Sequence, residues 1–460
     1  MKTRLAGLFL SLWLAGCAVG PDYHRPTVDM PPDWGWKIAE PADDRIKPDW
    51  WTSFGDPVLN DLETRAGKAN QQVLAALSRI DGARATARIA KSEFFPELSL
   101  DPSAKRYKTP PTVVPQNFTA NTFTVPLDLS YEIDLWGRVR RSYEGAQARA
   151  QASVADYYNV LLSLRGEVAI QYFLLRQMDA QQEIFERVAA LRQKEAELKE
   201  ERFRGGLIAG SELDRARTQW KLAKSQAVEA ARQREELQSG LALLCGEAAP
   251  SFRIPPATSL GAVPRIPVGL PASLLERRPD VARAERKMQA ANADIGVAYA
   301  AYFPALSLTG DAGYSSFKAG SLLDWENRLF QIGPSATLPL LNGGRIAAGV
   351  SSARAAYQAT CADYRQTVLA ALRDVTDALD DLHHYEEQAS LLREATTDAA
   401  ATEDLSRRNF QGGVTNYLQV TEAEGGRLQA RLEGVRAEAM ERIASVRLFK
   451  ALGGGFQSGS

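Results

Sequence analysis

The segment FFPELSL at residues 94–100 recurs as YFPALSL at residues 302–308, an offset of 208 residues. Gly-Gly pairs at 205–206 and 412–413 repeat at an offset of 207, as does the Gly-Arg pair at 137–138. A nearly constant offset over more than 100 residues indicates an internal duplication. The sequence therefore predicts two equivalent halves, residues 56–249 and 279–455, followed by a short tail at 456–460. A linker at 250–278, rich in proline, joins the halves.

Each half contains a long stretch without proline, at residues 127–249 and 340–460. Because proline costs ~3 kcal/mol in a helix interior, these stretches are free to form long helices. Their apolar residues recur every three or four positions, as at Tyr157, Leu161 and Leu164, which is typical of a coiled-coil-like seam. A helix from Arg138 to the first glycine pair would be roughly 100 Å long.

The glycine pairs at 205–206 and 412–413 interrupt these long stretches. Glycine adopts the left-handed conformation that ends helices, so each pair predicts a turn between two antiparallel helices. Ser211, with Asp214 three residues on, is predicted to cap the returning helix of the first hairpin.

A second pattern precedes each long helical stretch. Residues 122–135 place apolar side chains at every odd position from Phe123 to Leu135, and this period of two predicts a β-strand. Comparable patterns predict two strands in each half, at about 97–108, 122–136, 305–317 and 329–341. Strands of this length can cross a bilayer when tilted. A soluble amphipathic hairpin is the alternative interpretation.

The N-terminus has the features of a bacterial lipoprotein signal. Lys2 and Arg4 precede an apolar run that ends in Leu-Ala-Gly-Cys at residues 14–17. Ten apolar residues are too few to span a membrane, so residues 1–16 are predicted to be a cleaved signal. Cys17 would then carry N-acyl and S-diacylglycerol chains at the head of an arm, residues 17–55, and no other cofactor is expected. An ordinary signal with a chance cysteine is the alternative.

The composition excludes several function classes. With 55 basic and 56 acidic residues the chain is nearly neutral, which does not suggest nucleic-acid binding. No glycine cluster has the context of a phosphate-binding loop, and adjacent His383 and His384 point to different helix faces, so neither an enzyme nor a metal site is expected. Cys245 and Cys361 could pair, although small buried thiols are the favoured reading.

Membrane strands must close on themselves, because lipid offers no hydrogen bonds to a free edge. Four strands are too few to close, since the smallest bacterial barrels have about eight. The predicted fold is therefore mainly α-helical with membrane β-structure: a long helical barrel joined to a β-barrel shared between copies.

Three segments carry a resemblance to a known family: CAVGPDY at 17–23, WWTSFGDPVL at 50–59 and VGLPASLLERRPD at 268–280. With the duplication, they make the chain similar to the lipoprotein branch of the TolC-type outer-membrane efflux factors. The resemblance implies a homotrimer with 12 strands, which is lipid-anchored in the bacterial outer membrane and extends into the periplasm. It also implies passive export of small molecules with a periplasmic adaptor and an inner-membrane pump, most simply a proton-driven one.

The resemblance also implies roles for particular residues. Leu418 would form an apolar ring and Glu422 a carboxylate ring at a periplasmic constriction, with Gln419 in place of a second acid. Adaptor docking is implied for the hairpin tips, at Gly205, Gly206, Ser211, Gly412, Gly413 and Thr415. A protein-secretion channel and a lipoprotein spacer without a channel are the alternative functions.

Overall fold

The structure, a computed structural model, describes residues 18–27, 48–109, 118–266 and 277–456. Its helices are α1 (Pro57–Ala69), α2 (Gln71–Ser92), α3 (Arg138–Arg204), α4 (Gly210–Leu244), α5 (Pro279–Ala300), α6 (Arg345–Gln411) and α7 (Tyr417–Ala451). Its strands are β1 (Glu97–Leu100), β2 (Ser103–Thr109), β3 (Phe118–Ile133), β4 (Ala305–Ser316) and β5 (Arg328–Thr337).

The duplication is visible in the helix lengths. Helices α3 and α6 each have 67 residues, and α4 and α7 each have 35. Each half of the chain therefore ends in a hairpin with one long and one shorter arm. Across the described ranges, no helix offers an apolar stretch long enough to cross a membrane.

The strands form one antiparallel sheet in the order β1-β3-β4-β5, with β2 also paired to β3. The central pair joins the two halves of the chain, because β3 belongs to the first half and β4 to the second. Strand β5 and the β1–β2 pair are the two outer members of this sheet.

The strand boundaries differ from those predicted at three places. The strand expected at 97–108 is divided at Asp101-Pro102, although the pairing that ends at Leu100–Leu127 resumes in the same register at Ser103–Thr124. Proline has no N–H to donate, which accounts for the interruption. Strand β3 runs from residue 118 to 133 instead of 122 to 136. Strand β5 ends at Thr337 instead of residue 341, because the next residues are Leu338-Pro339.

One face of the sheet is apolar and open. Leu100, Leu127, Ala312 and Phe330 lie side by side in one row across the strands. The leucines and Phe330 of this row are exposed, so no part of the described chain covers them. The opposite face carries a polar row, Ser99, Asp128, Asp311 and Gln331.

The described residues divide into two compact units that differ from the two sequence halves. The first unit comprises the described residues 18–27, 79–109, 118–154 and 283–365, and it contains the whole sheet. The second comprises residues 48–78, 155–282 and 366–456, apart from 267–276, which are not described. Each unit takes segments from both halves, because α3 and α6 contribute to both units.

The core of the second unit is built around the WWTSFGDPVL segment. Trp50 stacks on Phe449 of α7 with ring centroids 5.0 Å apart, and Phe54 contacts Phe173 of α3 at 4.9 Å. The Asp56 side chain caps α1 by accepting hydrogen bonds from the first backbone N–H groups of that helix. This segment therefore fixes the start of α1 against the long helices of both halves.

Candidate functional site: the helical hairpin tips

The first hairpin tip closes with a Schellman motif. The Gly206 N–H donates to Phe203 O at 2.9 Å, and the Leu207 N–H donates to Arg202 O at 2.9 Å. Gly206 has φ of 73°, in the left-handed region that only glycine adopts readily. The first glycine of the pair, Gly205, keeps an ordinary negative φ.

The second tip reproduces this geometry. The Gly413 N–H donates to Phe410 O at 3.0 Å, and the Val414 N–H donates to Asn409 O at 2.8 Å. Gly413 also has φ of 73°, while Gly412 keeps a negative φ. The two tips are therefore equivalent in backbone as well as in sequence position.

Both tips present apolar side chains. Leu207 is 76% exposed and Val414 is 77% exposed, and each follows its positive-φ glycine directly. Phe203 and Phe410, one turn earlier, are also exposed. Each tip thus offers a small apolar surface that no described residue covers.

The helices that return from the two tips begin differently. Helix α4 begins at Gly210 after Ala209, whose side chain offers no cap, so Ser211 lies in the first turn and the predicted Ser211 cap is wrong. Ser211 is exposed on the surface of that turn. Helix α7 is capped by Asn416, whose Oδ1 accepts a hydrogen bond from the Gln419 N–H at 3.2 Å. The Asn416-x-x-Gln419 spacing is a capping-box pattern that our sequence reasoning missed.

The residues predicted at the constriction lie on the first two turns of α7. Leu418, Gln419 and Glu422 are all exposed, whereas Val420 and Thr421 between them are buried. Leu418 and Glu422 are one turn apart, so they share one helix face. The structure therefore places the three side chains together on a surface of α7.

Thr415 lies between the second tip and α7. Its side-chain Oγ1 is buried, and it has no hydrogen-bond partner among the described residues. Unlike the tip glycines, Thr415 is only half-exposed.

A buried acid joins α6 to α7 beyond the constriction residues. Glu403 is buried, and its Oε1 accepts a hydrogen bond from Arg407 at 2.5 Å. Its Oε2 pairs with Arg427 of α7. Glu403 and Arg407 lie on α6, whereas Arg427 lies on α7. The ion pair with Arg427 therefore links the two arms of the second hairpin near its tip.

A cavity of about 350 Å³ lies next to Glu422. Ile184, Phe185 and Val188 of α3 form part of its wall, and Gly425 of α7 also lines it. Glu422 therefore borders a cavity of mixed polar and apolar lining between helices of the two hairpins.

The linker between the halves is clamped to the first hairpin by buried charges. Arg176 pairs with Asp179 at 2.8 Å and donates to Pro255 O at 2.7 Å. Arg234 of α4 pairs with the same Asp179 and donates to Ile254 O at 2.7 Å. Arg176 and Asp179 are almost fully buried, which makes this network costly to break.

The predicted lipidation residue, Cys17, lies outside the described residues, and the arm that follows it is ordered from Ala18 to Thr27. The Val19 N–H donates to Trp136 O at 3.0 Å, and Asn292 donates to Pro21 O at 2.9 Å. The position after Cys17 is therefore fixed against the end of β3.

Two cysteines and one histidine pair are the other candidate residues. Cys245 and Cys361 are both free thiols, and burial raises the pKa of Cys245 to about 11. His383 and His384 are exposed on α6. Within the described ranges, no group of His, Cys, Asp or Glu side chains is arranged to hold a metal ion.

Known proteins resemble the chain over nearly its whole length. It is 30% identical to the solvent efflux pump outer membrane protein SrpC of Pseudomonas putida, with 99% of each chain covered. It is also 30% identical to the outer membrane protein OprJ of Pseudomonas aeruginosa, covering 99% of this chain and 96% of that one. The solved structure of the outer-membrane channel OprN matches with a TM-score of 0.86 at 28% identity, covering 95% of this chain and 99% of that one.

The family model described as outer membrane efflux protein matches twice, at residues 64–247 and 270–454. The two matches correspond to the two halves that the internal repeat defines. The chain therefore belongs to the outer membrane efflux protein family.

Proposed function

We propose that this protein is the outer-membrane channel of a tripartite efflux system, which exports small molecules passively from the periplasm to the cell exterior. Its family and its likeness to the OprN channel carry this proposal. The open apolar face of the sheet supports it independently. A sheet in water would bury a row such as Leu100, Leu127 and Phe330, whereas lipid tails would cover it in a membrane.

The proposed assembly is a homotrimer. The sheet ends at β5 on one side and at β1–β2 on the other, and lipid does not tolerate an unpaired edge. Three copies joined edge to edge would close the sheet, with the polar row around Asp128 and Asp311 facing a water-filled lumen.

The proposed partners bind at the other end of the molecule. The hairpin tips around Gly206 and Gly413 would dock a periplasmic adaptor, since their exposed Leu207 and Val414 suit an apolar partner surface. An inner-membrane pump, proposed to be proton-driven, would supply the energy for export.

The proposed constriction is formed by the start of α7. Three copies of Leu418 would narrow the channel with an apolar ring, and three copies of Glu422 would add a carboxylate ring one turn away. Gln419 would leave the second ring uncharged. The Glu403 ion pairs would keep α6 and α7 moving together when this end opens.

The proposed cargo is small organic molecules. SrpC is named for solvent efflux, and it matches this chain from end to end. The proposed anchor is a lipidated Cys17, which would hold the ordered arm at the membrane.

Conductance in planar lipid bilayers tests the proposal. The purified protein should form channels, and Leu418→Ser or Glu422→Ala should raise their conductance because each removes part of the constriction. Glu235→Ala, an exposed acid on α4, serves as the matched control and should leave conductance unchanged. A protein that forms no channels would instead be a membrane-tethered spacer. Channels that respond equally to all three substitutions would refute the constriction assignment.

A further inference from the structure

The N-terminal arm fills a groove at the base of the sheet, which we call the arm groove. One wall is the chain after β3, where Gly137 lies so close to Ala18 that a Cβ on the glycine would be 2.7 Å from it. The other wall is α5, where Gly20 lies against Gly296 just as closely. Arg141 closes the groove by donating to Asp22 at 2.9 Å.

The duplication provides a second set of these wall positions. The first wall contains Trp136, Gly137 and Arg141. The residues 207 positions later are Gly343, Gly344 and Ala348, at the start of α6. The second wall contains Asn292 and Gly296. The residues 208 positions earlier are Arg84 and Arg88, on α2. We call these positions together the second groove.

The two walls of the second groove would meet only between copies. Inside one chain the arm groove lies at the junction where β3 pairs with β4. The equivalent junction joins β5 of one copy to β1 of the next, and this step rests on the proposed assembly. The register Tyr131–Leu308 inside the chain then corresponds to Leu338 beside Leu100 of the neighbouring copy.

Among the residues that the structure describes, none takes the place of the arm in this second groove. The described part of the arm, residues 18–27, lies in the arm groove. A Cβ on Gly343 or Gly344 would find no described atom within 4 Å. Trp136, which stacks on Phe303 at 4.6 Å, is replaced by Gly343, so further space opens there.

The second groove is also more positively charged than the arm groove. Arg138 is bound by Glu93 and Glu132, but its equivalent Arg345 is exposed and has no ion pair among the described residues. The positions equivalent to the two acids are Ala301 and Pro339.

Arg84 and Arg88 add two more cations, one helix turn apart. Both are exposed and have no hydrogen bond or ion pair in the described chain. Residues 345–362 of α6 contain no acid, and Asp81 is the single acid on α2. Three guanidinium groups would thus share this groove with almost no compensating charge.

The surroundings of these cations are apolar. Leu340 and Leu341, just before α6, are 88% and 96% exposed, and Ile89 beside Arg88 is exposed as well. All lie where the helices meet the proposed membrane strands. Guanidinium groups bind phosphate through paired hydrogen bonds, and the leucines would contact acyl chains.

We propose that the second groove binds the phosphate of an anionic phospholipid at each seam between copies. The lipid headgroup takes the place that the N-terminal arm occupies in the arm groove. It places a negative charge among Arg84, Arg88 and Arg345, and it fills the seam that Gly343 leaves open.

Lipid retention by the purified full-length protein tests this proposal. The protein is washed in detergent containing phosphatidylglycerol, and bound lipid per trimer is counted by native mass spectrometry. Arg84→Gln/Arg88→Gln should weaken retention by about tenfold or more, since hydrogen bonds to charged groups are lost. Arg187→Gln/Arg215→Gln removes two exposed arginines from the hairpins and should change nothing.

The outcomes separate the two proposals. Trimers that retain phosphatidylglycerol equally in both double variants would overturn the lipid site while leaving the channel intact. Displacement of the lipid by millimolar inorganic phosphate would also overturn it, because the groove would then bind a free anion. A protein that never forms trimers would instead overturn the proposed function.

Discussion

Replacing the positive-φ glycine of a hairpin tip should loosen that tip by a definite amount. Gly206 and Gly413 both have φ of 73°, and a Cβ on either would meet no atom within 4 Å. The cost of Gly206→Ala or Gly413→Ala is therefore a backbone cost alone, about 1–2 kcal/mol for an L-residue in the left-handed region.

The neighbouring glycines provide matched controls. Gly205 and Gly412 keep negative φ, and a Cβ on either would lie 3.5 Å or more from its nearest neighbour, which is ordinary contact. Gly205→Ala and Gly412→Ala should therefore cost nothing, and they remove conformational freedom from the unfolded chain.

Hydrogen exchange measured by mass spectrometry reads this difference directly. The N–H groups of Gly206 and Leu207 are protected by their bonds to Phe203 and Arg202. A loss of 1–2 kcal/mol in local stability should speed their exchange by roughly 5- to 30-fold in Gly206→Ala. Equal exchange in Gly206→Ala and Gly205→Ala would refute the argument, because it would mean that φ does not set the stability of the tip.

Three further substitutions test other parts of the structure. Burial raises the pKa of Glu63 well above its usual range. Neither oxygen of its carboxylate has a hydrogen-bond partner among the described residues. Since the folded state holds this proton more tightly than the unfolded state, wild-type stability should fall as the pH rises above about 4, the ordinary pKa of a glutamate. Glu63→Gln should abolish that fall. A difference in melting temperature between wild type and Glu63→Gln that stays constant with pH would contradict this prediction. Gly413→Phe should lower drug export at unchanged protein level in the membrane, and undiminished export would reduce the tip to a simple turn. Cys17→Ala should release more protein from membranes on salt and carbonate washing while sparing export, and loss of channel activity would show that the anchor does more than tether.

Much of the fold can be predicted from the sequence because the deciding signals are local or repeated. The glycine pairs at 205–206 and 412–413 mark both turns, and the absence of proline from 127–249 permits the long helices between them. Comparing the two halves strengthens each signal, since a chance pattern would not recur at the same offset.

The exceptions arise from single residues and from contacts distant in sequence. Pro102 divides a strand whose side-chain alternation continues across it, so the period alone did not reveal the break. Ser211 has the chemistry of a cap, but α4 begins at Gly210. The division into two units follows contacts between segments hundreds of residues apart, which no local pattern encodes.

Helical spacing predicts how the candidate residues are arranged on α7, but it does not predict their interactions. The positions of Leu418 and Glu422 on one face follow from helical spacing. The tie from Glu403 to Arg427 could not be foreseen, because it depends on how α6 and α7 pack against each other.

Photocrosslinking in living cells tests the central claim most directly. A photoreactive amino acid is placed at the exposed tip positions Leu207 and Val414, and at Leu222 on the side of α4 as the control. If the protein is an efflux channel, the tip positions should capture a periplasmic adaptor, which should co-purify with an inner-membrane pump. Capture of no periplasmic partner from either tip, with the protein present in the outer membrane, would contradict the account.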